Sequence, residues 1–180
     1  MISTTKFFIG IDVSKPYFDV SLMGLVNHVK QAMETARFEN TVSGIKVFEK
    51  WLKTNGVTMN ENSLVVIENT GIYHRLIWSF CSRKHLPIHI GNAAHIKWSF
   101  GIARGKNDKI DSARLCNYAF RESDSLLTTA PLNPVLLHLK DFISTRTKLL
   151  KQITSLRVSI KELGNVNEKP HQKLIEKSLK

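Results

Sequence analysis

The sequence predicts an α/β domain, in which helices flank a mixed central sheet, followed by one long coiled-coil helix. Short apolar segments rich in strand-forming residues come first. After residue 40, strand-like segments alternate with segments that show helical periodicity. Apolar residues at heptad spacing then occupy residues 139–163. Hydrophobic residues make up 42% of the 180 residues, which is sufficient for a buried core.

The chain begins with three candidate strands that predict an antiparallel meander. They lie at residues 6–12, 17–23 and 36–39. Residues 13–16 form the first turn, where Pro16 prevents a longer ladder because it has no N–H to donate.

After Asn40 the pattern alternates between helices and strands. Ile45, Phe48 and Leu52 recur at helical spacing, and the wholly apolar run at 64–67 is typical of a strand covered on both faces. The remaining segments predict a helix at 72–84, a strand at 86–90 and a helix from 92 to about 121, interrupted by a polar loop at 104–107. Together these elements predict a mixed sheet with helices on its faces.

Two prolines, Pro131 and Pro134, precede the heptad segment, so we expect one domain at 1–128 and an oligomerisation helix at 129–180. One inner position is polar, Arg146, and the apolar inner positions are Leu139, Phe142, Leu149, Ile153, Leu156, Ile160 and Leu163. We favour a coiled coil that joins copies of the chain through residues 135–163, because the opposite face is polar and basic. The alternative is an amphipathic helix packed on its own domain.

The charge of the chain favours polyanionic partners, nucleic acid first. Lys and Arg number 26 against 15 Asp and Glu, so the formal net charge is +11. No apolar run approaches the roughly 20 residues of a membrane span, and the amino terminus does not resemble a signal peptide. Cys81 and Cys116 lie in predicted helices, where they are expected to fill the core of a protein in a reducing cytoplasm.

Four acidic residues stand out by position. Asp12 and Glu68 each end an apolar strand, and Asp108 and Asp111 begin a helix at a spacing that puts them on one face. If the two strands are neighbours, these carboxylates converge, and their mutual repulsion requires bound cations. Oxygen-only ligands favour Mg²⁺ or Mn²⁺, which predicts metal-dependent phosphoryl chemistry. The alternatives are a turn-capping role for Asp12 and a helix N-cap role for Asp108.

Basic residues surround the predicted acidic site and are candidates for binding the nucleic-acid backbone. Lys15 follows the first strand, and the others are Lys97, Arg104, Lys106, Lys109 and Arg114. The alternative is that these cations form an ordinary solvated surface.

Four segments of the sequence resemble the motifs of one family. They are Gly-Ile-Asp-Val-Ser-Lys at 10–15, Ile-Glu-Asn-Thr-Gly-Ile-Tyr at 67–73, Asn-Ala-Ala-His-Ile-Lys at 92–97 and Lys-Asn-Asp-Lys-Ile-Asp at 106–111. Their order and spacing resemble the amino-terminal domain of DEDD transposases of the insertion-sequence one-ten (IS110) group, which are relatives of the Piv-type DNA invertases. The heptad helix is similar to that of the family as well.

The resemblance implies a ribonuclease H-like fold similar to that of RuvC resolvases. It implies a bacterial, nucleoid-associated protein that moves DNA with a structured guide RNA and assembles as dimers or tetramers. It also implies that the catalytic, metal-binding residues are Asp12, Glu68, Asp108 and Asp111.

One departure from the family pattern leaves other functions open. Family members carry a further, carboxy-terminal domain with a serine that attacks DNA, and this sequence ends at Lys180 before it, so we expect an incomplete transposase. The alternatives are a non-catalytic DNA- or RNA-binding remnant and a RuvC-like structure-specific nuclease. Actin-like ATPases and sugar kinases also begin with Gly-Ile-Asp, but residues 13–16 lack the glycine that their phosphate loop needs.

Overall fold

The computed structural model of the protein describes residues 5–99, 108–165 and 177–178, apart from the side chains of 97–98, 108–110 and 163–165. Six strands and five helices follow one another in these ranges. In chain order they are β1 (Thr5–Val13), β2 (Tyr17–Val26), β3 (Val29–Lys30), β4 (Glu34–Glu39), α1 (Val42–Thr54), β5 (Ser63–Glu68), α2 (Arg75–Lys84), β6 (Ile88–Gly91), α3 (Ala93–Ser99), α4 (Asp108–Arg121) and α5 (Pro134–Asn165).

The strands form one mixed sheet in the order β3-β2-β1-β5-β6, with β4 also paired to β2. The β1–β2 and β2–β4 pairs are antiparallel, which confirms the predicted meander. The β1–β5 and β5–β6 pairs are parallel; the chain reaches β5 from the antiparallel strands through α1, and α2 connects β5 to β6. This mixed sheet, with helices packed on both of its faces, confirms the predicted α/β fold class.

Alternating side chains place a separate hydrophobic cluster on each face of the sheet. On one face, Ile9 and Ile67 pack with aromatic residues of α1 and α2, such as Phe48 and Phe80. On the other face, Phe8 and Val66 pack with α4. Strand β5 is therefore covered on both sides, as its apolar run predicts.

Helix α4 lies directly on β1 because Gly10 has no side chain. A Cβ atom at Gly10 would collide with the backbone nitrogen of Cys116 and the carbonyl oxygen of Ser112, and it would lie 2.6 Å from the carbonyl carbon of Leu115. The Cys116 thiol donates to the carbonyl oxygen of Phe8 at 3.2 Å, and its burial raises the pKa of Cys116 to about 12. Both cysteines are buried free thiols, as the sequence predicts.

The differences from the sequence-based prediction include the starts of one helix and one strand and one additional short strand. Helix α2 begins at Arg75 rather than at 72, because Gly71 adopts a left-handed conformation with φ +70° and a turn follows it. Strand β6 begins at Ile88 rather than at 86, since the Leu86 N–H donates to the Cys81 carbonyl and Pro87 has no N–H. The two-residue strand β3 was not expected.

The chain divides into two compact units, Met1–Leu132 and Asn133–Lys180. Residues 129–132 belong to the first unit because they bond to its strands and helices: the Thr129 hydroxyl accepts from the Ile90 N–H at 2.9 Å, and the Leu132 N–H donates to Ser82 Oγ at 2.9 Å. The second unit contains α5, a single 32-residue helix. Within the described ranges, no helix is long and apolar enough to cross a membrane.

Candidate metal centre and nucleic-acid interface

Two of the four predicted acidic residues lie side by side at the ends of β1 and β5. The parallel register pairs Gly10 with Val66 and Ile11 with Ile67, so the next residues, Asp12 and Glu68, are neighbours across the two strands. Adjacent strands lie about 4.8 Å apart. Both residues are half-buried, and strand alternation puts them on the α4 face of the sheet. We call this pair the carboxylate edge.

A third carboxylate, which the sequence analysis missed, lies beside Asp12 on the same face. Asp19 on β2 is paired with Asp12 in the antiparallel register. Arg37 on β4 neutralises it, with Nε donating to Asp19 Oδ1 at 2.8 Å and Nη2 to Oδ2 at 2.8 Å. The Tyr17 ring lies 3.9 Å from the Arg37 guanidinium carbon and covers it. Asp19 is therefore a neutralised neighbour of the carboxylate edge.

The first turn of α4 approaches the carboxylate edge. The Ser112 hydroxyl contacts the Ser21 hydroxyl at 2.9 Å on β2, and Cys116 bonds to Phe8 farther back along β1. The helix therefore runs antiparallel to β1, and its start lies toward Asp12. Residue 108 begins the helix, four positions before Ser112. The side chain of Asp108 lies outside the described residues.

Asp111 lies at the flank of α4 and is bonded to a cation. The Arg114 Nη1 atom donates to Asp111 Oδ1 at 3.1 Å, and the two side chains are 29% and 42% exposed, respectively. An exposed ion pair one helical turn apart contributes about 0.5 kcal/mol or less. Asp111 can therefore exchange Arg114 for another cation at a small cost in free energy.

Two of the six predicted backbone-binding cations have described side chains. Lys15 is exposed in the turn after β1, three residues beyond Asp12, and Arg114 is half-buried beside Asp111. The other four predicted contacts, Lys97, Arg104, Lys106 and Lys109, have side chains that lie outside the described residues.

The donor chemistry of the carboxylate edge fits a hard divalent cation. Asp12 and Glu68 offer oxygen ligands only, which suits Mg²⁺ or Mn²⁺. Among the residues that the structure describes, no three His, Cys, Asp or Glu side chains are grouped closely enough to hold a metal ion by themselves. A complete ligand set at this edge therefore needs water, substrate oxygen or residues near the start of α4.

Asn40, which lies between β4 and α1, was not predicted from the sequence. Its amide bonds to the loop after Asp12 and to the loop after Glu68. Asp19 had a detectable signal, because a charged residue inside the apolar strand segment at 17–23 needs a buried partner. Asn40 had none, since asparagine after a strand is an ordinary turn residue.

Comparison with known proteins identifies a family. The family model for DEDD transposases of the IS110 type, described as a transposase, matches residues 9–163. No curated protein matches the chain. Among solved structures, the chain is similar to T. thermophilus RuvC in complex with a Holliday junction substrate, with 8% sequence identity and a TM-score of 0.43. That match covers 69% of this chain and 99% of the RuvC chain.

Proposed function

The chain belongs to the IS110-type family of DEDD transposases, which act on DNA, and we propose that it acts on DNA phosphodiesters during transposition through metal bound at the carboxylate edge. The observation that carries this proposal is the adjacency of Asp12 and Glu68 on neighbouring parallel strands. Carboxylates on two rigid strands keep a fixed spacing, which a binding site for a divalent cation requires.

The proposed ligand set combines the carboxylate edge with the start of α4. Asp12 and Glu68 hold Mg²⁺ or Mn²⁺ from the sheet, and Asp108 and Asp111 hold it from the helix. When bound, such an ion polarises a phosphoryl oxygen and neutralises the negative charge that develops during attack. Asp19 stays outside this set because Arg37 already occupies both of its oxygens.

Arg114 has a second proposed role, which follows from its pairing with Asp111. When Asp111 turns to a metal ion, the guanidinium of Arg114 becomes available to a DNA phosphate. A guanidinium binds phosphate oxygens through two parallel hydrogen bonds, so it fixes position as well as charge. Lys15, in the turn after β1, contacts the DNA backbone on the other side of Asp12.

The remaining basic residues extend this proposed interface along the chain. Lys97, Arg104, Lys106 and Lys109 hold DNA or a structured guide RNA near the acids, where the carboxylates alone would repel phosphate. The net charge of +11 supports such a partner. We further propose that residues 135–163 join copies of the chain, so that two carboxylate edges act in one assembly.

Metal-dependent stabilisation tests this proposal. At Mn²⁺ ten times above its dissociation constant, binding to the folded state adds about 1.4 kcal/mol, which raises Tm by about 4 °C in a domain of this size. Asp12→Asn and Glu68→Gln each remove a ligand charge at constant volume, so we expect both to abolish the gain. Differential scanning calorimetry in Mn²⁺ and in EDTA measures it.

The matched control is Glu61→Gln, because Glu61 is an exposed acid beyond the opposite end of β5. This variant should keep the wild-type gain in Tm. If Mn²⁺ stabilises the double variant Asp12→Asn, Glu68→Gln as much as the wild type, the assignment of the site is wrong. If the wild type binds DNA or RNA without any response to metal, the chain acts as a non-catalytic nucleic-acid-binding module.

A further inference from the structure

We propose that Asn40 is a positioning residue for the carboxylate edge, because its amide connects the two loops that follow Asp12 and Glu68. The inference rests on the proposed function, since the two loops that Asn40 connects directly follow the two proposed metal ligands. Asn40 acts through these loops and is not itself a ligand.

Both loops accept a hydrogen bond from the same amide nitrogen. The Asn40 Nδ2 atom donates to the Ser14 carbonyl oxygen at 2.9 Å and to the Tyr73 carbonyl oxygen at 2.9 Å. Ser14 is the second residue after Asp12, and Tyr73 is the fifth after Glu68. An asparagine amide has two N–H donors, so a single side chain uses both of them to span the two loops.

Each loop is also fixed to the sheet by its own hydrogen bonds. In the first loop, the Ser14 N–H and hydroxyl both donate to the Tyr17 carbonyl oxygen, at 2.9 and 2.7 Å. In the second loop, the Asn69 N–H donates to the Gly91 carbonyl oxygen at 3.0 Å. These bonds attach the first loop to β2 and the second loop to β6, the strands that flank β1 and β5 in the sheet. The link through Asn40 therefore holds together the two loops that directly follow Asp12 and Glu68.

The backbone and the side chain of Asn40 have separable roles. Its backbone N–H donates to the Pro16 carbonyl oxygen at 2.9 Å, and this bond survives any side-chain substitution other than proline. Its Oδ1 atom is buried and has no hydrogen-bond partner among the described residues. A buried acceptor without a partner is unfavourable. The two hydrogen bonds donated by Nδ2 therefore hold the amide in this orientation. Donation to the two loops is therefore what the side chain contributes.

Loss of a hydrogen bond made directly to a metal ligand typically weakens metal affinity by about 10- to 100-fold, and Asn40 acts one step farther out, so we expect an effect at the lower end of this range. We therefore expect Asn40→Leu, which keeps the side-chain volume but cannot donate, to raise the Mn²⁺ dissociation constant about tenfold. Asn40→Ala should also raise the Mn²⁺ dissociation constant, and it replaces the leucine variant if that variant misfolds. Isothermal titration calorimetry on the folded full chain, well below its Tm in EDTA, measures the affinity.

Asn55→Leu is the matched control. The Asn55 Nδ2 atom also donates to a backbone carbonyl, that of Trp51 at 2.8 Å, but it does so at the far end of α1. This variant should lower the Tm in EDTA and leave the Mn²⁺ dissociation constant unchanged, which separates general stability from positioning.

The outcomes separate this inference from the proposed function. Wild-type Mn²⁺ binding that is lost in Asp12→Asn but unchanged in both folded Asn40 variants overturns the role of Asn40 and leaves the metal site intact. Equal weakening by Asn40→Leu and Asn55→Leu also overturns it, because stability would then explain the effect. Absence of Mn²⁺ binding by the wild type overturns the proposed function and this inference together.

Discussion

The Arg37 guanidinium holds the Asp19 carboxylate in a fixed two-bond arrangement at the border of the carboxylate edge. The Asp19 side chain is 5% exposed, whereas that of Arg37 is 47% exposed. A buried carboxylate that keeps such a bidentate partner is well compensated, but it becomes costly when the partner is removed. The aspartate therefore depends on the arginine far more than the arginine depends on the aspartate.

Arg37→Ala should reduce the free energy of unfolding by about 2 kcal/mol, somewhat less than the 3–5 kcal/mol typical of a fully buried pair, because solvent reaches the arginine side. Urea denaturation measures this loss. Addition of Asp19→Asn to Arg37→Ala should restore part of it, since the uncompensated charge is then removed. A double variant that is less stable than the single one would contradict this account.

At the level of elements, the approach of α4 to β1 determines where the helical acids lie. The contact has room for the hydrogen of Gly10 and for nothing larger, and the first turn of α4 stays near Asp12 only while this contact holds. The packing of a helix on a strand thus sets the position of proposed ligands from a different part of the chain.

Gly10→Ala should lower the free energy of unfolding by about 3 kcal/mol or more, because its Cβ meets helix backbone, which cannot move aside as a flexible side chain does. It should also abolish the gain in Tm with Mn²⁺, since α4 is displaced. Gly24→Ala on the neighbouring strand is the control: its Cβ would lie 3.5 Å from the Gln31 side chain, an ordinary contact. Equal stability of the two variants would show that α4 does not press on Gly10.

The sequence predicts the elements of this fold better than it predicts the contacts between them. The apolar run at 64–67 and the strand-terminal positions of Asp12 and Glu68 follow from local patterns, and so does their meeting once β1 and β5 are neighbours. The Asp19–Arg37 pair and the amide of Asn40 join residues 18, 26 and 33 positions apart. No local periodicity encodes such links, because they depend on how β4 and the loops meet in three dimensions.

For the whole molecule, α5 is the element that most needs a partner. Its heptad positions carry large apolar side chains that are substantially exposed in the single chain, among them Leu139 at 53%, Phe142 at 74% and Leu149 at 53%. A continuous apolar face of this kind is typical of an association surface. A second copy of the helix would bury it in the knobs-into-holes manner of a coiled coil.

Replacement of Ile153 and Leu156 by aspartate should therefore convert the assembly to monomers, because each chain would bring two unpaired charges into the apolar seam. Light scattering on the eluate of a sizing column gives the mass. The control places the same two charges on the outer face of the helix, as Ser144→Asp with Ser155→Asp, and should leave the oligomer intact. If both double variants keep the wild-type mass, the chains associate through another surface. If the seam variant is monomeric yet keeps the Tm gain with Mn²⁺, each chain binds metal independently of assembly.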